Sequence, residues 1–547
     1  MNQFDVIIVG SGIHGAAAAW VTARLGLKTA LVEMGDFGAA TSASSLKVLH
    51  GGLRYLQHGN FSRMRESIRA RRRFLQLAPH LCRPQPFLMP TRGHGVRSQA
   101  ALAVALKLND WIACDRNVGI PKERQLPGGR LLDIGEARKI LAGLDDPGIT
   151  GAAVWYDGLG ENTERLTLSL VLSAEQAGAQ VFNYTKVDKL LVDQGAVTGV
   201  EVREVLTGAV RILAGRLVIN AAGPWLEQAW HGGAPGSEKF PLVGAWNIVV
   251  RRRWFGPYGV ALESTQAHRD ADALVQRGKR NLFFVPWREG TMIGTVYEPF
   301  EGEPSQYRPT PESIRAFVQE INAVYPPARL REDEVTFIHV GVQPGPPHRA
   351  GSSVEPDKHS EVIDHSAHGG PRGLLSIKGV KYTTGIEVGE AAGRRAARLL
   401  GASGAGAPAA FYGGSRLVGA GDVVALARAR KIELPVGAAE RLASQYGGVV
   451  EAVLEEARAD GAAVLSGAPL VLRAEVRHAV KAEHALRLSD VILRRTELGS
   501  FARPDDAVLR AVAAEMVMLL GWSPERLEQE LADVRALYPA LSTVSVR

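Results

Sequence analysis

An apolar strand that runs directly into a three-glycine turn constrains this chain more than any other feature. Asp5-Val-Ile-Ile-Val9 is suited to burial on both faces, and Gly10-Ser-Gly-Ile-His-Gly15 follows without a spacer. The alanine-rich stretch from Ala16 to Leu25 reads as a helix ended by Gly26, and Lys28 to Glu33 reads as the next strand. In that setting Gly10 makes the turn, Gly12 lets the backbone approach a pyrophosphate, and Gly15 lets helix and strand pack closely. The helix start offers free N–H groups and a partial positive charge to phosphates, and Glu33 stands where it can accept from adenosine ribose hydroxyls. Strand, helix, second strand and acid together predict a Rossmann-type dinucleotide site.

The remaining chain narrows the class. At 547 residues it is too long for one core, so two or three domains are expected. Two cysteines, Cys82 and Cys114, exclude a disulfide scaffold and a thiolate metal centre. No HExxH, CxxC or paired-histidine spacing occurs, so no metal is expected. The absence of a secretory signal and of about 20 uninterrupted apolar residues points to a cytoplasmic protein. The net charge of +7 accommodates a small anionic substrate. The helical pattern from Asn60 to Leu75 carries Arg63, Arg65, Arg69, Arg71, Arg72 and Arg73. Its bland reading is a solvated face; the alternative, with the apolar Ala100–Ala113 segment behind it, is peripheral contact with the inner face of a membrane. Nucleic-acid binding is not expected, because no aromatic platform accompanies these arginines. Near the C-terminus, Met516, Met518 and Leu519 read as core.

Three later segments favour FAD over a nicotinamide cofactor. Gly35 to Leu49 is rich in small hydroxyl residues suited to a flavin and its linker. A hairpin turning at Asp193-Gln-Gly195, with Val187 in its first strand, precedes a strand that ends at Ala221-Ala-Gly223 and allows a second close approach. Lys378-Gly-Val-Lys-Tyr-Thr-Thr384 then opens a helix over Glu387–Leu400. A site assembled from early, middle and late segments suits a flavoprotein.

His50-Gly-Gly-Leu-Arg-Tyr-Leu56 resembles a hallmark of the FAD-dependent glycerol-3-phosphate dehydrogenases, within the D-amino-acid-oxidase-like flavoproteins. Asn220-Ala-Ala-Gly-Pro-Trp225, Phe284-Val-Pro-Trp287, Ile293-Gly-Thr295 and the tail from Glu475 to Thr496 are similar to that family in order and spacing. The resemblance implies cofactor contacts at Gly10, Gly12, Gly15, Glu33, Ser42, Lys47, Val187, Gly223, Gly379, Thr383 and Thr384. It implies a substrate site at Arg54, Tyr55, Gln343 and Lys381, with His50, Arg54 and Lys381 serving catalysis. It also implies hydride transfer from a secondary alcohol to flavin N5 and onward electron transfer to quinone or oxygen. The chain departs from the family on the substrate side. Gln343 stands where the family has arginine, Ala245-Trp-Asn247 replaces a histidine-bearing run, and Gly385-Ile386 follows the paired threonines. Lys358, His348 or Arg349 are candidate stand-ins for the missing arginine.

The expected fold is α/β. A discontinuous Rossmann-type FAD-binding domain (1–80, 150–235, 350–405) carries an inserted mixed β-sheet substrate domain (81–149, 236–349). A C-terminal helical domain (410–547) follows a small-residue linker at 401–408. The expected activity is oxidation of glycerol 3-phosphate or a related anionic alcohol. The alternatives are a different alcohol or amine substrate, or a non-catalytic FAD-binding protein; a homodimer is open beside a monomer.

Overall fold

The apolar run after the N-terminus becomes β1 (Phe4–Val9), the middle of the first sheet. The structure is a computed structural model, and it describes residues 3–228, 241–267, 279–346, 354, 356–402 and 410–538. β1 pairs in parallel with β2 (Thr29–Val32) on one side and with Val210–Asn220 on the other. Val6, Ile7 and Ile8 are fully buried, as a strand covered on both faces requires. The strands Leu374–Lys378 and Gln180–Phe182 extend the sheet outward. The expected hairpin is present, Thr185–Asp193 against Ala196–Glu204, with left-handed Gln194 and Gly195 at its turn.

Helix α1 (Ile13–Arg24) leaves the glycine turn and packs on the helix Gly385–Leu399. A Cβ at Gly389 would overlap the His14 carbonyl, so glycine is what permits this approach. The contact brings Gly379–Thr384, nearly at the end of the FAD-binding part, beside a turn at residue 10.

The second sheet, of nine strands among the described residues, forms the other wall of the site. It is mixed: Gly259–Ala267 runs parallel to Cys82–Arg92, while its other pairings are antiparallel. Pro311–Val324 packs beneath it through Ile314, Phe317, Val318 and Ile321; Thr310 caps this helix and Pro311 occupies its first turn. The strand Ile149–Gly160 belongs to this second sheet, so the domain boundary drawn at 150 falls some residues early. Trp155 and Leu159 pack into its core, which is why the strand sides with it. Among the described residues the tail is helical apart from one small hairpin, Val464–Leu465 with Ala468–Leu472. Met516 is buried there, but Met518 is 67% exposed: it lies on the outer side of Asp506–Leu520, so the core expectation for it is corrected. Most of the linker at 401–408 lies outside the described residues.

Candidate active site

A cavity of about 870 Å³ lies between the two sheets and runs from the glycine turn to the loop at His50. Its N-terminal end meets the demands of a dinucleotide. Gly10 has φ +93°, and a Cβ there would come within 2.6 Å of the Ala221 carbonyl oxygen. A Cβ at Gly15 would overlap the carbonyl oxygen of Gly10. Ser42 Oγ accepts from Ile13 N at 2.9 Å, which binds the segment after β2 to the start of α1. The Glu33 carboxylate accepts from Ser11 N at 2.8 Å, Ser11 Oγ at 3.0 Å and Gly35 N at 3.0 Å. Burial raises its pKa, and the bonds from Ser11 and Gly35 oppose that rise. Gly12, Val187, Gly223 and Gly379 line the same end. His14 lines it too; burial lowers its pKa to about 4, and its buried Nε2 has no hydrogen-bond partner in the protein. A glycine cradle, a helix start, a ribose-facing acid and an orphaned neutral imidazole together fit the polar body of FAD.

The opposite end is organised by residues that pattern reading missed. Asp157 Oδ1 accepts from Gly51 N at 2.5 Å and from Arg71 Nη1 at 2.6 Å, and Asp157 Oδ2 accepts from Trp155 Nε1 at 3.0 Å. The Arg71 guanidinium lies so close over Gly51 that a Cβ there would overlap it. This buried pair fixes the His50-Gly51-Gly52 loop from below. His50 lines the cavity, and its N donates to Thr383 Oγ1 at 3.4 Å. Its pKa is lowered to about 3 by burial first, then by Lys381 and Arg54, so its ring is neutral at pH 7. Lys381 Nζ donates to the Tyr55 hydroxyl and sits 4.9 Å from that ring's centre, with Arg54 at 5.6 Å and Arg63 at 4.9 Å. Three cations thus surround one phenol. Burial lowers the Lys381 pKa. The Tyr55 phenol is raised by burial but lowered further by Lys381 and Arg54, and ends below its ordinary value. Arg54 is exposed at the cavity edge, and among the described residues no carboxylate pairs with it or with Lys381.

The facing wall is uncharged at Asn247, Thr295 and Gln343; farther along it Lys279, Arg280, Glu298 and Glu320 also line the cavity. Asn247 donates to Ser44 O at 3.2 Å and accepts from Thr295 Oγ1 at 2.8 Å; Gln343 and Thr41 line the cavity nearby. Trp246, between Ala245 and Asn247, turns into the core as strand alternation demands.

Several expected contacts are placed elsewhere. Lys47 does not line the cavity. Its left-handed backbone, φ 63°, turns Nζ into the interior, where it reaches Glu164 at 2.8 Å, Thr163 Oγ1 at 2.9 Å and Ala43 O at 2.7 Å. Neither charge is solvated, so loss of Lys47 would leave Glu164 uncompensated at a cost of roughly 3–5 kcal/mol. Tyr55 and Thr384 stand just behind the lining; Tyr55 acts through Lys381, and Thr384 precedes Gly385–Leu399 at the N-cap position without a side-chain capping bond. Gly15 acts through packing alone. The basic helix, α2 (Phe61–Leu77), is largely consumed by ion pairs: Arg65 and Arg72 with Asp115, Arg71 with Asp157, and Arg73 with Glu390. Of the stand-ins for an arginine at 343, Lys358 is outside the lining and takes Arg63 and Lys381 on its carbonyl, while His348 and Arg349 lie outside the described residues.

The family model for FAD dependent oxidoreductases matches residues 5–399, and the model for the C-terminal domain of alpha-glycerophosphate oxidase matches residues 411–527. A glycerol-3-phosphate dehydrogenase of Mycobacterium leprae is 30% identical, over 98% of this chain and 88% of its own length. One from Synechocystis sp. is 28% identical, over 97% and 95%. The crystal structure of the glycerol-3-phosphate dehydrogenase from Bacillus halodurans complexed with FAD superposes with a TM-score of 0.74 at 22% identity, covering 100% of this chain and 97% of that one, which shows a shared fold.

Proposed function

We propose, on the premise that this chain belongs to the FAD dependent oxidoreductases and within them to the glycerol-3-phosphate dehydrogenase family, that it oxidises glycerol 3-phosphate or a close anionic relative to the ketone. The observation that carries the substrate reading is the cluster of Arg54, Arg63 and Lys381 around Tyr55, beside a neutral His50, at the end of the cavity away from the glycine turn. FAD supplies the hydride acceptor when bound. The protein's part is to hold and orient the alcohol. Arg54 and Lys381 take the anionic group, as an arginine fork and an ammonium do in a partly dry pocket. His50, neutral and fixed from below by Arg71–Asp157, is free to accept a hydrogen bond from the substrate hydroxyl and then its proton. A dianion beside it offsets the cations that depress its pKa, so substrate binding itself strengthens the base. Asn247, Thr295 and Gln343 offer hydrogen bonds to the neutral part of the substrate.

Steady-state turnover of glycerol 3-phosphate against glycerol tests this reading. With the cation cluster serving the phosphate, kcat/KM for glycerol should be lower by at least about a hundredfold, a difference of roughly 3 kcal/mol. Equal values would refute the assignment of those cations.

The alkaline side of the pH profile follows from Lys381. Burial puts its pKa below the usual lysine value, so its charge is lost as pH rises through that lowered value. The expected result is a fall in kcat/KM on the alkaline side, at lower pH than an ordinary lysine would give, that moves to higher pH in Lys381→Arg, because a guanidinium keeps its proton. A limb unmoved by that substitution would assign it to another group.

Contact with a membrane surface is favoured by one observation. On α3 (Gln99–Ile112), Val104 and Trp111 are 66% and 75% exposed, and their spacing of seven places them on one face. Since the arginines of α2 are mostly paired, such contact should be apolar and little affected by salt. Co-sedimentation with lipid vesicles should drop several-fold in Trp111→Glu; equal sedimentation of the two proteins would rule this face out.

A further inference from the structure

We infer that the C-terminal helical domain completes the adenosine end of the cofactor site, with Arg494 and Arg495 as positioning residues for the loop that carries Glu33. The inference rests on the family's FAD assignment and is independent of which alcohol is oxidised.

The loop from Glu33 to Phe37 leaves β2 and turns Asp36 inward, where it is 3% exposed. Among the described residues, the side chains that meet its carboxylate come from the far end of the chain. Arg495 donates Nη2 to Oδ1 at 2.8 Å and Nη1 to Oδ2, and Arg494 donates Nε to the same Oδ2. Successive residues on a regular α-helix diverge by about 100°, which would send two adjacent arginines to different partners. Here they end a π-helical turn, Val491–Arg495, and both reach one carboxylate.

The contacts close into a ring. Arg494 Nη2 donates to Asp490 Oδ1 at 2.8 Å, the Tyr184 hydroxyl donates to that same oxygen at 2.7 Å, and Tyr184 N donates to Gly35 O at 2.9 Å. The C-terminal domain therefore grips the loop twice, at the Asp36 carboxylate and, through Tyr184, at the Gly35 carbonyl. Phe37 adds an edge contact with His484, ring centres 5.8 Å apart. What the loop holds in turn is the ribose acceptor: Gly35 N donates to Glu33 Oε1, and Gly38 N donates to Ser11 Oγ, which itself donates to Glu33 Oε2. The chain of bonds from Arg495 thus terminates on the carboxylate that faces adenosine. Two arginines and two aspartates balance in charge, so removal of one arginine leaves a buried negative charge beside Glu33.

The test is release of FAD from full-length holoenzyme on dilution, read by the fluorescence of freed flavin, with hydrogen exchange of residues 33–39 as a second readout. Arg495→Met should bind FAD at least tenfold more weakly and speed exchange in that segment, and Arg495→Lys should recover part of both. The double variant Asp36→Asn with Arg495→Met removes both charges; it should regain thermal stability while FAD binding stays weak, because the loop is no longer held. Wild-type FAD affinity in the double variant would overturn the inference and leave the ring as a domain tie only. Glu475→Gln breaks a buried pair within the C-terminal domain, with Arg441, away from the loop. An equal loss of FAD in that variant would overturn it likewise. Should Arg495→Met fail to fold, Asp36→Asn alone decides: at least tenfold weaker FAD binding with faster exchange of residues 33–39 supports the inference, and unchanged binding overturns it.

Discussion

Gly15→Ala is expected to yield a protein that folds poorly and retains no FAD through purification. The added Cβ would overlap the Gly10 carbonyl oxygen, a backbone atom on the adjoining turn, so no side-chain rotation relieves it. Either α1 moves away from β1 or the turn opens. Gly10 cannot retreat, since its own carbon faces the Ala221 carbonyl and its φ of +93° already suits only glycine. Overpacking of this kind costs about 1–3 kcal/mol in stability. The loss in cofactor affinity should be larger, more than a hundredfold or roughly 3 kcal/mol, because the N–H groups at the start of α1 move with the helix. Absorbance of bound flavin after gel filtration measures the effect; a fully loaded Gly15→Ala protein would mean that the turn does not cradle the pyrophosphate.

Arg54→Met is expected to separate substrate binding from everything else. Arg54 is exposed at the cavity edge and packs on Tyr55 without a carboxylate partner among the described residues, so its loss should leave stability and FAD content nearly unchanged. Removal of one charged partner from a hydrogen-bonded ion pair in a complex costs about 2–5 kcal/mol. Asn247, Thr295 and Gln343, across the cavity, carry no charge, so Lys381 and Arg63 would be left to hold the phosphate. The fall in kcat/KM for glycerol 3-phosphate should therefore reach about a thousandfold, mostly in KM, with the flavin spectrum preserved. A loss confined to kcat would give Arg54 a role in the reaction step instead.

What the sequence reveals of this fold depends on how local the cause is. The glycine turn, the Asp193–Gly195 hairpin and Pro311–Val324 are legible because capping residues, turn residues and apolar spacing lie within one element. The strand Ile149–Gly160 reads ambiguously, since its assignment to the second sheet depends on partners at 82–92. The site divides in the same way. His50, Arg54 and Lys381 are marked by the motifs around them, and Glu33 by its place after β2. The Arg71–Asp157 pair beneath Gly51 joins residues 86 positions apart and leaves no local pattern. Lys47 misleads for a different reason: it lies in the right segment, yet a positive φ at a non-glycine residue sends its side chain into the core. The arginine run on α2 looks like a free basic face until Asp115, Asp157 and Glu390, each from another segment, take up its charges.

Anaerobic mixing of the purified holoenzyme with glycerol 3-phosphate, followed at the oxidised-flavin absorbance band, tests the central claim most directly. The expected result is rapid bleaching with formation of one equivalent of dihydroxyacetone phosphate per FAD, even though Gln343 and Asn247 carry no charge. A flavin that stays oxidised under glycerol 3-phosphate, yet bleaches with a chemical reductant or with another alcohol or amine, would contradict the substrate assignment.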